Sequence, residues 1–214
     1  MLTQTELQTR RSNMLQLWLL IALFALPPIA AWLFYLNPQW LPAGRTNHGQ
    51  LIEPPRAMQE LALRTPGGEK FDWDSLQGQW TLCLLAEGQC EARCMQQLIK
   101  LRQIRRALGA NRQRVERLLI LLPDSSGQVE IPTLGGLEGT RLALTTKQDK
   151  PNLLAQFAIP GKGLDQTVFL IDPRADLMMA QDLSHTTSKQ VLQDLEKLLK
   201  ASQSWVKGGQ YGHQ

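Results

Sequence analysis

The stretch at residues 80–94, WTLCLLAEGQCEARC, decides the fold of this chain. Its first part, residues 80–85, is a nearly continuous apolar run of strand length, as expected for a central strand that is buried on both faces. Its second part places Cys90 and Cys94 with three residues between them, just before a helical pattern that begins near Ala92. The sequence therefore predicts two thiols at a strand-to-helix junction.

This junction favours thiol chemistry. Unpaired backbone N–H groups and the positive end of the helix dipole stabilise a thiolate at a helix N-terminus. Cys90 and Cys94 can also form a disulfide or hold a soft metal ion at this spacing. Arg93 favours the thiolates, whereas Glu87 and Glu91 oppose them. A purely structural disulfide is the alternative, but it has no need of a helix N-terminus, so the position favours a redox or metal-binding role.

The residues after the pair predict a crossover between parallel strands. Apolar side chains recur at helical intervals from Met95 to Leu108, and Gly109 is a stop signal. Residues 115–122 read as a second buried strand, followed by turn residues at 123–127. Strand, helix and strand in this order form a right-handed unit.

The second half repeats the alternation. We expect a short strand at residues 142–144, a helix at 150–157, and a hairpin of two strands between residues 168 and 179. Thr187 and Gln190 have the spacing of a capping box, which predicts a closing amphipathic helix. The predicted class is α/β, with a mixed sheet flanked by helices.

A membrane segment precedes this domain. Residues 14–36 contain no charged side chain and are long enough to cross a hydrocarbon core of about 30 Å. A cleaved signal peptide is the alternative, but its apolar core would be shorter. Trp32 and Tyr35 are typical of an interfacial aromatic belt. We therefore predict a single N-terminal transmembrane helix.

Basic residues predict the orientation of that helix. Arg10 and Arg11 precede it, whereas the first basic residue after it is Arg45. Positive charge favours the cytoplasmic side, so the N-terminus is predicted to be cytoplasmic and the domain to lie across the membrane. In a bacterium the anchor would be in the inner (plasma) membrane and the domain would be periplasmic. A mitochondrial inner membrane is the alternative location.

Three stretches of this sequence carry a resemblance to a known family. A paired-cysteine loop after a central strand, a crossover helix and a late hairpin resemble the thioredoxin-like fold. More narrowly, LQGQWT at residues 76–81, the spacing of Cys90 and Cys94, and FLIDP at residues 169–173 resemble the Sco family. Sco proteins are membrane-anchored factors that assemble the copper centre of cytochrome c oxidase.

The resemblance implies a function for the cysteine pair. Cys90 and Cys94 would act as a dithiol/disulfide couple, as in a thiol-disulfide oxidoreductase, or would hold Cu(I). Copper is then the only cofactor implied, and the partners implied are an oxidase subunit or a copper chaperone. Gln166 stands where the family has a histidine ligand, and Met95 stands where the family has a proline. The alternative is a degenerate, membrane-tethered interaction module without catalytic or copper activity.

The composition and periodicity of the sequence also divide the chain. We predict a cytoplasmic N-terminus at residues 1–13, a transmembrane helix at residues 14–36 and a linker at residues 37–66. A thioredoxin-like domain is predicted at residues 67–203 and a flexible tail at residues 204–214.

Other functions are disfavoured by the sequence. The glycines at residues 161–163 lack the spacing of a phosphate-binding loop, so no nucleotide is expected. Nucleic acid is not expected outside the cytoplasm. None of the three histidines is assigned to the site, and Cys83 is interpreted as a small buried hydrophobe. The basic stretch at residues 100–117 is predicted to form a solvated face.

Overall fold

The computed structural model of the chain describes residues 4–37, 40 and 47–202. The chain divides into two compact units, and the boundary between them along the sequence lies between Thr46 and Asn47. The predicted tail at residues 204–214 lies outside the described residues.

The first unit contains helix α1 (Gln4–Leu36), with Pro27 and Pro28 inside it. Its segment Gln16–Leu36 is apolar and long enough to cross a membrane, and none of that segment is buried within the protein. The predicted N-terminal candidate transmembrane helix is therefore confirmed. The kind of membrane and the orientation of the helix stay predictions.

The second unit is built on a mixed sheet of six strands. The strands are β1 (Gln50–Ala57), β2 (Trp80–Glu87), β3 (Val115–Leu122), β4 (Thr140–Leu144), β5 (Thr167–Ile171) and β6 (Asp176–Asp182). Their spatial order is β1-β6-β5-β2-β3-β4. β3 is parallel to β2 and β4, whereas β5 is antiparallel to β2 and β6, and β1 is antiparallel to β6. The predicted mixed sheet is confirmed.

Three helices flank this sheet: α2 (Ala92–Ala107), α3 (Lys150–Phe157) and α4 (Ser188–Ala201). Apolar residues of α2 and α4 join one core cluster, whereas α3 contributes Leu153 and Phe157 to the other. Strand β2 contributes side chains to both clusters, because Cys83 belongs to one cluster and Leu82 and Leu84 belong to the other. Burial on both faces explains why residues 80–85 lack the polar alternation of an exposed strand.

Helix α4 begins as the sequence predicts. The Thr187 side chain accepts a hydrogen bond from the Gln190 backbone N–H, and the Gln190 side chain accepts one from the Thr187 backbone N–H. These bonds satisfy two donors that a helix start otherwise leaves unpaired, so the predicted capping box is confirmed.

A buried carboxylate on α4 holds the start of the second unit. Asp194 is 2% exposed. Its Oδ2 atom accepts hydrogen bonds from the backbone N–H groups of His48 (2.8 Å) and Gly49 (2.9 Å) and from Gln181 Nε2 (2.8 Å). The segment that leads into β1 is thereby attached to both α4 and β6.

The predicted linker differs from the structure. Within residues 37–66 the structure has β1, which pairs with β6 and buries Ile52. The register shifts between Leu51 and Arg56, on either side of Pro54 and Pro55. Prolines cannot donate to a strand ladder, and edge positions tolerate them. This strand is therefore part of the folded unit, which begins before the predicted boundary at residue 67.

Candidate redox site

The loop that leaves β2 is held in one conformation. Gly88 has a φ of 69°, and a Cβ atom there would lie 3.2 Å from Asp124 Cβ, so a side chain would be strained at this position. The Gly88 N–H donates to Leu122 O at 2.8 Å, and its carbonyl oxygen accepts from the Glu130 N–H at 2.8 Å. These bonds define the approach of the chain to Cys90.

Cys90 and Cys94 are joined in a disulfide, with their Cα atoms 5.2 Å apart. Cys90 lies just before α2, and Cys94 lies in the first turn of that helix. Glu91 between them is the N-cap residue with extended backbone, and its carbonyl oxygen accepts from the Met95 N–H at 3.0 Å. The extended backbone at Glu91 lets the two sulfur atoms meet. The structure brings together both cysteines that the sequence singles out.

The three cysteines differ in burial. Cys90 and Cys94 are half-buried and pack on the apolar cluster under α2, together with Met95. Cys83 is fully buried in β2, and this burial raises the pKa of its thiol. A neutral, buried thiol is a poor nucleophile. Cys83 is thus separate from the disulfide-bonded pair.

A cleft with several carboxylates adjoins the loop that leads to Cys90. It has a volume of about 620 Å³ and runs along the loop between β2 and α2. Its acidic residues are Glu87, Glu91, Asp124 and Glu130. Hydrogen bonds from the Ser126 hydroxyl and the Gln128 N–H lower the pKa of Asp124, so this carboxylate is ionised at neutral pH. Negative charge here opposes the formation of a thiolate.

Helix α2 contacts the loop before β5 through residues that are near the pair in sequence. Arg93 forms an exposed ion pair with Asp165, at 3.2 Å. Gln97 Nε2 donates to the Asp165 carbonyl oxygen at 2.9 Å. Gln166 is half-buried and lines a shallow groove with Arg93 and Gln97. The loop that carries Gln166 therefore lies beside the first turns of α2.

Sequence reasoning missed Asp165 and Gln97. Both belong to contacts between segments that are distant along the chain, and no local pattern signals Asp165. A polar residue such as Gln97 on the inner face of an amphipathic helix is the only local sign, since it is buried where an apolar residue is expected.

The residues present do not fit a resident copper centre. No group of three or more His, Cys, Asp or Glu in the described part of the chain could hold a metal ion. Cys90 and Cys94 are oxidised to a disulfide here, and Gln166 offers an amide, a poor substitute for imidazole. His185 is exposed, and its Nδ1 atom lies 3.0 Å from Asp182 Oδ2. The arrangement supports disulfide chemistry instead.

Known structures show a similar fold. The apo Sco1 protein of Thermus thermophilus has a TM-score of 0.53 and 17% identity, over 73% of this chain and 99% of that chain. Yeast Sco1 with copper bound has a TM-score of 0.52 and 15% identity, over 74% of this chain and 96% of that chain. The thioredoxin domain of a thiol-disulfide oxidoreductase from Bacteroides vulgatus has a TM-score of 0.46 and 12% identity, over 64% of this chain and 91% of that chain. No curated protein matches the chain in sequence.

One protein family matches the chain directly. Its model, described as a transmembrane-like, thioredoxin-like, C-terminal domain, covers residues 80–202. This range runs from the first residue of β2 to the end of the described residues and includes the disulfide. The predicted thioredoxin-like fold is confirmed. Because the match covers more than half of the sequence, the chain belongs to the family of transmembrane-like proteins with a thioredoxin-like C-terminal domain.

Proposed function

We propose that this protein is a membrane-anchored thiol-disulfide oxidoreductase of the Sco type, and that it serves cytochrome c oxidase assembly. The observation that carries the proposal is the half-buried disulfide between Cys90 and Cys94 at the start of α2. A reduced pair at this place has a helix N-terminus to stabilise a thiolate. A disulfide that only braced the fold would gain nothing from that position.

The reaction needs two thiolate attacks. In the reduced protein the Cys90 thiolate attacks one sulfur of a partner disulfide, and the other partner sulfur leaves as a thiolate. The Cys94 thiolate then attacks Cys90 Sγ, which breaks the mixed disulfide. The products are the Cys90–Cys94 disulfide and a partner with two thiols. Two electrons pass to the partner, and a dithiol reductant returns the protein to its starting state.

Placement along the chain supports the order of these attacks. Cys90 precedes the helix and adjoins the cleft lined by Glu91, whereas Cys94 is inside the first helical turn. A partner segment in the cleft reaches Cys90 first. Cys94 remains beside Cys90 to resolve the mixed disulfide.

The fold neighbours suggest the partner class. Sco1 proteins share the fold, and one of them was solved with copper bound. We therefore propose an oxidase subunit or a copper chaperone as the partner, each presenting a pair of cysteines. Two thiolates are the fewest donors that Cu(I) accepts, so any copper held by the reduced pair would be cargo passed to the partner.

The reduction potential tests the proposal. Full-length protein in detergent is equilibrated with glutathione buffers, and the Cys90–Cys94 pair is followed by thiol labelling. We expect a potential above about −300 mV, because structural disulfides in secreted proteins lie below that value. Cys83→Ala is the matched control, since it removes a thiol outside the pair.

Trapping the partner tests the roles of the two cysteines. Cys94→Ser is expected to accumulate a mixed disulfide with its partner, whereas Cys90→Ser forms none. Cells that carry Cys90→Ser in place of the natural protein are expected to lose assembled oxidase. If those cells assembled the oxidase fully, and the Cys90–Cys94 pair had a reduction potential below about −300 mV, the redox function would be wrong. The protein would then be an interaction module without redox chemistry.

A further inference from the structure

The basic stretch at residues 100–117 is only partly solvated. Arg117, at its end, is 2% exposed, so the predicted solvated face is wrong for this residue. Lys100, Arg106 and Arg112 are exposed. None of the ion pairs within the described residues involves these three side chains. Their charges are therefore available at the surface of the protein.

Lys100 and Arg106 lie on a face of α2 that lacks negative charge. Helix α2 contains no Asp or Glu, and neither does the 3-10 helix (Gly109–Arg114) that follows it. The long exposed side chains of α2 beyond its first turn have helical spacing and share one face: Gln96, Ile99, Lys100, Gln103 and Arg106. Ile99 is 38% exposed. Basic residues beside an exposed apolar side chain are typical of a surface that lies on lipid headgroups.

The layers on the two sides of the sheet differ in charge. Helix α4 joins the same core cluster as α2 and packs beside it. The exposed charged residues of α4 are mostly basic: Lys189, Lys197 and Lys200, with Glu196. The segment at residues 53–74 contributes apolar side chains to the other cluster. Its exposed charged residues are mostly acidic: Glu53, Glu60, Glu69, Asp72 and Asp74, with Arg64 and Lys70. An anionic surface would therefore attract the layer of α2 and α4.

The chain enters the second unit on this basic layer. The backbone N–H groups of His48 and Gly49 donate to Asp194 of α4, the helix that packs beside α2. The candidate transmembrane segment ends at Leu36, and the residues from there to Asn47 can span at most about 35 Å. A domain tethered this closely to a bilayer needs only a weak attraction to dock on it, because docking is intramolecular.

We propose that the exposed face of α2 around Lys100 and Arg106 docks the domain on an anionic lipid surface, with Ile99 among the headgroups. Each Lys or Arg near such a surface strengthens binding by about fivefold. The tether and the charge of the whole layer favour lipid over an acidic protein as the occupant. Docking along α2 would hold the Cys90–Cys94 disulfide, at the start of this helix, near the headgroups.

A fluorescent probe on α2 tests the docking. Full-length protein with Gln103→Cys is labelled with a maleimide dye and placed in nanodiscs. Labelling is selective, because Cys83 is buried and the other two cysteines form a disulfide. We expect acrylamide to quench the dye less in nanodiscs with phosphatidylglycerol than in phosphatidylcholine alone. Asn152→Cys, exposed on α3, gives the control position, and its quenching is expected to be equal in both lipids.

Charge variants show whether the basic residues cause the docking. Lys100→Gln with Arg106→Gln is expected to lower the ratio of docked to free domain about 25-fold, fivefold for each charge. Lys70→Gln with Lys147→Gln removes as much charge from exposed positions outside α2 and α4, and is the matched control. Salt at 1 M is expected to release the domain, because the Debye length is then about 3 Å.

Three results would overturn the proposal. The first is equal quenching of the Gln103→Cys dye in the two lipids, and the second is an equal loss of docking in the two charge variants. The third is protection of the dye by added polyglutamate but not by phosphatidylglycerol, which would assign the face to an acidic protein. No thiol exchange enters these measurements, so each of these results leaves the proposed redox function untouched.

Discussion

Single residues decide what each sulfur atom of this chain can do. Cys83 and Cys90 belong to one short stretch, yet Cys83 is sealed in the core and Cys90 is half-buried in a disulfide. The difference follows from the end of β2 at Glu87, after which the chain leaves the sheet. Gln166 bears on metal chemistry in a comparable way, because it supplies an amide where the resemblance to Sco proteins implies an imidazole ligand.

Replacement of Gln166 by histidine is expected to create a copper site. The Gln166 loop is held beside the first turns of α2 through Asp165, so the new imidazole would lie near the reduced pair. We expect the affinity of the reduced protein for copper to rise at least about tenfold in Gln166→His. Changes to residues around metal ligands alter metal affinity by a comparable factor. Competition with a chelator on the reduced protein measures it. Gln103→His, on the exposed side of α2 and outside the groove that Gln166 lines, is the control, and equal affinity of both variants would contradict the prediction.

The elements differ in how far the sequence predicts them. β3 and α3 are found where they are predicted, because a dense apolar run and a proline in a first turn are local signals. β1 is missed because Pro54 and Pro55 are not typical of a strand, and because its partner β6 is far along the chain. The cysteine pair is also predicted from local spacing. The contacts of Asp194 could not be predicted, since segments that are distant along the chain supply its partners.

The attachment of β1 to α4 is expected to matter for stability. Asp194→Ala would leave three donors without their acceptor, two of them backbone N–H groups. We expect the free energy of unfolding to fall by about 3 kcal/mol, as when buried donors lose a charged acceptor. Glu196→Ala, an exposed carboxylate on the same helix, is the control. Denaturation in urea measures both variants, and equal stability would show that the carboxylate does not hold this segment.

At the scale of the whole molecule, the position of the folded boundary can be tested with two fragments. A fragment that starts at Asn47 keeps β1, whereas one that starts at Gly67 loses Ile52, Met58, Leu61 and Leu63 from the core. Each of these side chains contributes about 1.5–3 kcal/mol on burial. The sum is comparable with the whole stability of a domain, about 5–15 kcal/mol.

We therefore expect the longer fragment to unfold cooperatively and the shorter one to lack a cooperative transition. Thermal unfolding followed by circular dichroism distinguishes them. A cooperative transition of equal midpoint in both fragments would show that β1 is dispensable.

The central place of β2 has a consequence for the proposed redox cycle. β2 is hydrogen-bonded to β3 along one edge and to β5 along the other. Opening the Cys90–Cys94 bond frees only a short turn before α2, while the backbone of the sheet keeps its pairing. In the proposed exchange reaction, electron transfer would therefore be uncoupled from folding, so the protein would survive many rounds of turnover without rebuilding its core.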